Sequence, residues 1–317
     1  MNILVTGAAG FIGYHLCSSL LNDGYNVLGI DNINNYYNKN LKLDRLKILN
    51  KHNNFKFDKI DISDRKAITS SFLNYKPIKV INLAAQAGVR YSLQQPYKYV
   101  ESNLIGFVNI IELCRQTNVE GLIYASSSSV YGENKKVPFS EKDCVKKPIS
   151  LYAASKISNE LIAYSYSHLY GLNTTGLRYF TVYGPWGRPD MSYHIFTKKI
   201  LNDESINIFN SGKIKRDFTF INDIILGTKA AIIKNYNNEV FNLGNSTTVN
   251  ILELIRIIEN QLGKKAKINL RAKQPRDMNK TYADISKSVT KLNFNPMTSI
   301  YEGIPLFLDW FKNYYIK

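Results

Sequence analysis

The sequence predicts an α/β fold: a doubly wound parallel sheet with a smaller C-terminal substrate-binding lobe. Three observations carry the prediction: a glycine turn set between an apolar run and an apolar helical pattern, short apolar runs alternating with helical periodicities through the first half, and loss of that alternation after Tyr179. Alternating strand and helix signals specify parallel strands joined by crossover helices on both faces of one sheet. Ligands of such sheets gather at the carboxyl ends of the strands.

Ile3-Leu4-Val5 is the first strand, and Phe11, Ile12, Leu16 and Leu20 recur at helical spacing after it. Between them lies Gly7-Ala8-Ala9-Gly10-Phe11-Ile12-Gly13, one residue longer than the G-x-G-x-x-G pattern. Such a turn lets backbone N–H groups reach a pyrophosphate at the positive end of the helix, where side chains at the glycine positions would collide with ligand or strand. Val27-Leu28-Gly29-Ile30 is the second strand and ends in Asp31. An acid about 20 residues beyond the turn accepts hydrogen bonds from a ribose 2′-OH and favours NAD over NADP. The unit is thus Rossmann-type. Phe55-Lys56-Phe57 leads to Asp61-Ile62, Lys79-Val80-Ile81-Asn82-Leu83 to Ala84-Ala85, and Gly121-Leu122-Ile123-Tyr124-Ala125 to the serine run Ser126 to Ser129. Gly7, Asp31, Asp61, Ala84 and Ser127 therefore each fall at a strand end.

Tyr152 and Lys156 stand four residues apart, on one face of a helix. A tyrosine titrates near ~10 and serves as a base at neutral pH only where a neighbouring cation favours the phenolate. Lys156 is spaced to do so. A lysine-rich helix face offers the same spacing by chance; the glycine turn and the serine run give the pair its weight. Residues 100–115 and 151–168 read as long helices with apolar faces. After Tyr179, Gly184-Pro185-Trp186-Gly187 and Gly212 interrupt the pattern, so residues 1–178 are read as a dinucleotide-binding domain and 179–317 mainly as a second lobe, with some segments returning to the first.

A chain of 317 residues with 44% hydrophobic and 12% aromatic residues can bury a large core. No apolar run approaches the roughly 20 residues that cross a bilayer, and the chain opens directly on a strand, so membrane insertion and a cleaved leader are not expected and a cytoplasmic location is. Cys17, Cys114 and Cys144 are few and widely spaced, as in a reduced protein without disulfides. His15, His52, His168 and His194 show no metal-ligand spacing, and no metal is assigned. The net charge of +16 raises a nucleic-acid reading, but the lysines are scattered and beside asparagine, as in Asn38-Lys39-Asn40. A solvated basic surface suited to anionic nucleotide sugars is the reading preferred, with no nucleic-acid partner.

Further segments carry a family resemblance: Leu83 to Ser92 (LAAQAGVRYS), Tyr124 to Gly132 (YASSSSVYG), Tyr152 with Lys156, and Arg178 to Asp190 (RYFTVYGPWGRPD). Together with the glycine turn, they resemble the extended short-chain dehydrogenase/reductase superfamily and its NAD-dependent epimerases and dehydratases, and within it the UDP-glucuronate 4-epimerases. The resemblance covers nearly the whole chain. It implies NAD held by Gly7, Gly10, Phe11, Ile12, Gly13, Asp31, Asn32, Asp61, Ile62, Leu83, Ala84, Ala85 and Tyr179, with Tyr152 and Lys156. It also implies a UDP-sugar as substrate, supply of UDP-galacturonate for surface polysaccharide, and a homodimer formed by the 100–115 and 151–168 helices.

In that scheme Tyr152 removes the C4 hydroxyl proton, Lys156 supports it and binds nicotinamide ribose, and Ser127 hydrogen-bonds the same oxygen. Family dehydratases carry Asp-Glu where this chain has Ser128 and Ser129, and UDP-glucuronate decarboxylases usually carry glutamate in place of Ser129. Decarboxylation, or 4-epimerisation of another UDP-hexose, is therefore the alternative; the non-enzyme alternative is an NAD-responsive or RNA-associated binding module. Arg188 is the candidate for the sugar carboxylate because a guanidinium binds it bidentately, helped by Thr181, Ser128 and Ser129. Arg90 and Arg216 are candidates for the diphosphate, as is Arg276, which stands in Gln274-Pro275-Arg276-Asp277 where relatives usually have glycine.

Overall fold

The computed structural model describes residues 1–272 and 280–316. The opening apolar run forms β1 (Asn2–Thr6), and the pattern after the glycine turn forms α1 (Phe11–Asn22). There follow in order β2 (Asn26–Ile30), α2 (Lys39–Leu49), β3 (Phe55–Asp58), α3 (Arg65–Tyr75), β4 (Lys79–Asn82), α4 (Pro96–Tyr99), α5 (Gly106–Gln116), β5 (Gly121–Ser127), α6 (Leu151–Tyr170) and β6 (Thr174–Tyr179). Side chains at helix N-termini fix several of these starts. Asp64 accepts from the backbone of Lys66 and Ala67 at the head of α3, and Ser150 from Ala153 at the head of α6; such caps contribute about 0.5–2 kcal/mol each.

All these strands are parallel, in the spatial order β3-β2-β1-β4-β5-β6. The chain reverses direction of travel across the sheet between β1 and β4, which opens a crevice beyond their carboxyl ends. Strand side chains alternate between two cores. Ile3 and Val5 pack with Leu16 and Leu20 of α1 on one face, and Leu4 packs with Ile68, Phe107 and Ile110 on the other. Each such fully buried aliphatic or aromatic side chain contributes roughly 1.5–3 kcal/mol.

The second half is built from shorter pieces: β7 (Thr181–Tyr183), α7 (Ser192–Leu201), β8 (Ser205–Phe209), β9 (Lys215–Arg216), β10 (Phe218–Phe220), α8 (Ile221–Lys234), β11 (Glu239–Leu243), β12 (Val249–Asn250), α9 (Ile251–Leu262), β13 (Lys267–Arg271), β14 (Lys280–Thr281), α10 (Ser286–Leu292) and α11 (Ile300–Tyr315). They make small sheets pairing β7 with β10, β8 with β13, and β12-β9-β14. One stretch belongs to the first half in space. β11 pairs with β6, placing Leu243 opposite Tyr179 and completing a seven-stranded parallel sheet, while α8 packs on α1.

Residues 100–115 differ from the single regular helix expected there. Residues Val100–Ile105 form a π-helical stretch between α4 and α5. The physical reason is Asn103, whose side chain is buried and hydrogen-bonded in three directions: it accepts from Gln86 N at 2.8 Å and donates to Gln86 O at 3.1 Å and Ser155 Oγ at 3.0 Å. Its carbonyl accepts from Asn159 Nδ2 at 2.7 Å. A widened turn frees that carbonyl from the helix ladder, and the result ties the loop after β4 to α6, which carries Tyr152.

Candidate active site

The crevice is a cavity of about 740 Å³ running across the carboxyl ends of the sheet. One part of its wall is the glycine turn. An added Cβ at Gly7 would stand 2.8 Å from Ala84 N, and one at Gly13 would drive into the Gly7 carbonyl oxygen, so the turn and β4 close to backbone contact only without side chains. The first turn of α1 has no capping side chain and no acid, which leaves its amides and positive end for an anion. Asp31 lies beside this turn: it accepts from Ala9 N at 3.2 Å and Ile33 N at 2.9 Å, with Lys42 Nζ 3.9 Å away. Asp61 accepts from Asn32 Nδ2 at 2.7 Å and from the Ser63 hydroxyl at 2.7 Å; burial raises its pKa, and these hydrogen bonds outweigh burial and hold it below the usual carboxylate range. Shape, amides and acids together fit a dinucleotide.

The crevice also holds the tyrosine. Tyr152 projects from the first turn of α6 and packs edge-on against Tyr99, ring centroids 6.2 Å apart. Burial raises its pKa, while the Ser127 hydroxyl, by hydrogen bonding, and the Arg188 charge pull it back. Lys156, four residues on, is 4% exposed and donates from Nζ to the Ala125 carbonyl at 2.8 Å. Burial lowers its pKa to about 8, with Glu160 opposing, so the side chain remains an ammonium at neutral pH. The sequence spacing thus puts the pair in one crevice, and the cation is held by the β5 backbone. Ser127 sits at the end of β5 because the strand turns there into a short 3₁₀ helix that it caps, its Oγ accepting from Ser129 N at 3.1 Å.

The lining also includes Ser128, Ser129, Thr181 after β6, Arg90 in the loop after β4, and Arg188 in the loop after β7. The crevice therefore brings together every sequence-predicted site residue except two. Arg216, on β9, is not among the residues that line this cavity; its Nη1 donates to the Lys215 carbonyl at 2.9 Å. Arg276 lies outside the described residues.

Sequence reasoning missed several residues. Glu160, one turn after Lys156, accepts from Arg178 Nε at 2.9 Å and Nη2 at 2.7 Å and from Ser126 Oγ at 2.5 Å, bracing the floor beneath Ser127. Arg45, fully buried, donates to the carbonyls of Ala9 at 2.8 Å and Trp186 at 2.5 Å and so ties the glycine turn to the Arg188 loop. His15 Nε2 meets the Pro185 carbonyl at 3.0 Å. The helical spacing of Lys156 and Glu160 was a usable signal for the first; nothing local announces the other two, whose partners are 141 and 170 residues away.

Known proteins resemble this chain in sequence and in fold. Protein CapI of Staphylococcus aureus is 47% identical over the full length of both chains. UDP-glucuronate 4-epimerase 4 of Arabidopsis thaliana is 46% identical over 99% of this chain and 76% of its own length. The crystal structure of UDP-glucuronic acid 4-epimerase from Bacillus cereus, in complex with UDP-glucuronic acid and NAD, superposes with a TM-score of 0.92 at 37% identity, covering 99% of this chain and 100% of that one. With residues 3–244 matching the family as a whole, the chain belongs to the NAD dependent epimerase/dehydratase family.

Proposed function

We propose that this protein is an NAD-dependent UDP-glucuronate 4-epimerase, interconverting UDP-glucuronate and UDP-galacturonate. The observation that carries the reading is one crevice lined together by a dinucleotide-shaped glycine turn, Tyr152, Ser127 and Lys156, and the guanidinium of Arg188. The chemistry a bound NAD supplies is reversible hydride acceptance at sugar C4. Tyr152, as phenolate, takes the C4 hydroxyl proton and later returns it; Ser127 hydrogen-bonds the same oxygen. Lys156, fixed by the Ala125 carbonyl in the same crevice, is the cation assigned to favour the phenolate and to bind nicotinamide ribose. Gly7, Gly10, Gly13 and the amides of Phe11 and Ile12 cradle the pyrophosphate, and Asp31 with Asn32 holds the adenosine ribose. Asp61, Ile62, Leu83, Ala84, Ala85 and Tyr179 complete that wall.

Oxidation at C4 puts a ketone β to the C6 carboxylate, and such an acid loses CO₂ when the breaking bond aligns with the carbonyl π system. Arg188, with Thr181, Ser128 and Ser129, holds the carboxylate near the carbonyl plane, and no carboxylate side chain stands at 128 or 129 to promote further proton transfers. Arg90 meets the UDP phosphates, with Arg216 and Arg276 as the further cations of the second lobe. We further infer a homodimer, supported by the exposed apolar side chains Ile105, Val108, Leu161 and Tyr164 on the two long helices. Resemblance and the reduced, widely spaced cysteines support a cytoplasmic enzyme that supplies a uronic acid for surface polysaccharide.

The test is incubation of purified protein with UDP-glucuronate, UDP-glucose and UDP-N-acetylglucosamine, with products resolved by chromatography. A mixture of UDP-glucuronate and UDP-galacturonate with almost no UDP-pentose is expected. Predominant UDP-xylose makes it a decarboxylase, and faster turnover of either neutral sugar makes it an epimerase of another UDP-hexose.

A further inference from the structure

Arg188 does not enter the crevice as an isolated cation. Its Nε donates to Asp190 Oδ1 at 3.0 Å and its Nη2 to Asp190 Oδ2 at 2.5 Å, a two-point pair between residues two apart. A third residue joins from another loop. The Tyr36 hydroxyl, on the loop between β2 and α2, donates to Asp190 Oδ2 at 3.0 Å, and the Arg188 guanidinium carbon lies 5.8 Å from the Tyr36 ring centroid. Tyr36 is itself seated: its ring packs on Tyr91 at 4.9 Å between centroids, and its hydroxyl occupies the space a side chain at Gly88 would fill. Proton positions follow from the surroundings. Burial and the Asp190 charge push Tyr36 up to about 12, so the phenol is neutral and donates. Burial raises Asp190, but Arg188 and Tyr36 outweigh it and hold the carboxyl below its usual range, so it is an anion and accepts.

A guanidinium presents its five N–H groups along separate edges of a planar fork. Asp190 takes the Nε–Nη2 edge, which leaves the Nη1–Nη2 edge, the guanidinium's second bidentate face, with Nη1 bonded to no partner among the described residues. We propose that Asp190, steadied by Tyr36, is a positioning residue that fixes Arg188 so that this second edge meets the substrate carboxylate, and thereby sets the preference for a hexuronic acid over a neutral hexose. The inference rests on the role given to Arg188 above. The competing use of the same pair is displacement, with Asp190 as an internal carboxylate that the substrate drives off. Displacement exchanges two charge-assisted hydrogen bonds for two others and gains nothing, whereas sharing keeps the first pair and adds a second. The long, flexible arginine side chain also loses less freedom on binding when it is already held.

The two uses predict opposite signs. In the holoenzyme, Asp190→Asn is expected to raise the KM for UDP-glucuronate by about tenfold, equivalent to 1.4 kcal/mol, with the dissociation constant of UDP-glucose changed by less than about twofold and the UDP-pentose fraction of the product increased. Tyr36→Phe, which deletes one hydroxyl, should move the same ratio in the same direction by less, and it carries the test should Asp190→Asn fail to fold. Tighter UDP-glucuronate binding in Asp190→Asn establishes displacement and overturns the proposal; equal weakening of both sugars reduces Asp190 to a structural residue and overturns it too. Arg188→Ala separates the two levels. If it leaves the UDP-glucuronate to UDP-glucose ratio unchanged, the carboxylate role of Arg188 falls; if it collapses the ratio while Asp190→Asn does not, only the positioning role falls.

Discussion

Two parts of the crevice wall are built by different means. At the glycine turn the wall is backbone: Gly7 against Ala84, Gly13 against Gly7, and the uncapped amides of α1, all set within seven consecutive residues and one neighbouring strand. Around Arg188 the wall is side chain. Arg188, Asp190 and Tyr36 come from loops 154 residues apart, and Arg45 on α2 and His15 on α1 hold the 185–187 backbone. A backbone site is specified by which residues lack a side chain, and that is written locally. A side-chain site is specified by which loops the fold brings together.

The largest effect is expected at the tyrosine, which belongs to neither part of the wall. Tyr152→Phe deletes one hydroxyl from a packed ring, so the fold, NAD content and UDP-sugar binding should persist while turnover drops by ~10²–10⁴-fold, the usual loss on removing a general base. Steady-state rates with UDP-glucuronate decide it: turnover within threefold of wild type removes Tyr152 from the role of base.

The same contrast explains what could be read without coordinates. The parallel sheet was legible because apolar runs and helical periodicities alternate at short range, and Gly7, Asp31, Asp61, Ala84 and Ser127 could be assigned to strand ends for the same reason. The π-helical stretch was not, because its cause is a buried asparagine reaching Gln86, 17 residues away, and Ser155, 52 residues away. Nor was the return of residues 221–243 to the main sheet assignable to a particular strand pair, since β11 carries no sign that it lies beside β6. Asp190 is instructive. It sits two residues from Arg188 in plain sight, yet its importance is visible only once Tyr36 is seen to hold it from another loop.

Gly13→Ala tests the backbone part by itself. The added methyl would overlap the Gly7 carbonyl, and forcing a carbon into a closed backbone contact costs about 1–3 kcal/mol. Relief requires the turn to open, which moves the amides off the pyrophosphate. Purified variant should carry little NAD, read from nucleotide released on denaturation, while the Arg188 part still distinguishes UDP-glucuronate from UDP-glucose in direct binding. Full NAD content in the variant would show that the turn is not closed against side chains as described.

The smallest effect is expected at a bond joining the two parts, His15 to Pro185. Burial, opposed by the hydrogen bond to the Pro185 carbonyl and reinforced by the Arg45 charge, lowers the His15 pKa to about 4 from 6.5. The ring is therefore neutral at pH 7 and donates as the Nε2–H tautomer. The unfolded chain binds this proton near pH 6.5 and the folded chain only near 4, so the group's contribution to stability is complete above 6.5 and is lost as pH falls from there towards 4. His15→Gln keeps an amide donor at about the same reach and removes the titration. At pH 7.5 its stability should lie within about 1 kcal/mol of wild type, the net value of one hydrogen bond, and its loss of stability between pH 7.5 and 5 should be smaller than wild type's. His194, also lowered to about 4 by burial, pulls in the same direction, and Asp217, raised by burial to about 6, pulls in the other. Both remain in the variant, so the difference between the two urea-midpoint profiles isolates His15. Parallel profiles would mean that the ring gains its proton in the folded protein as readily as in the unfolded chain, and that burial does not hold it neutral as described.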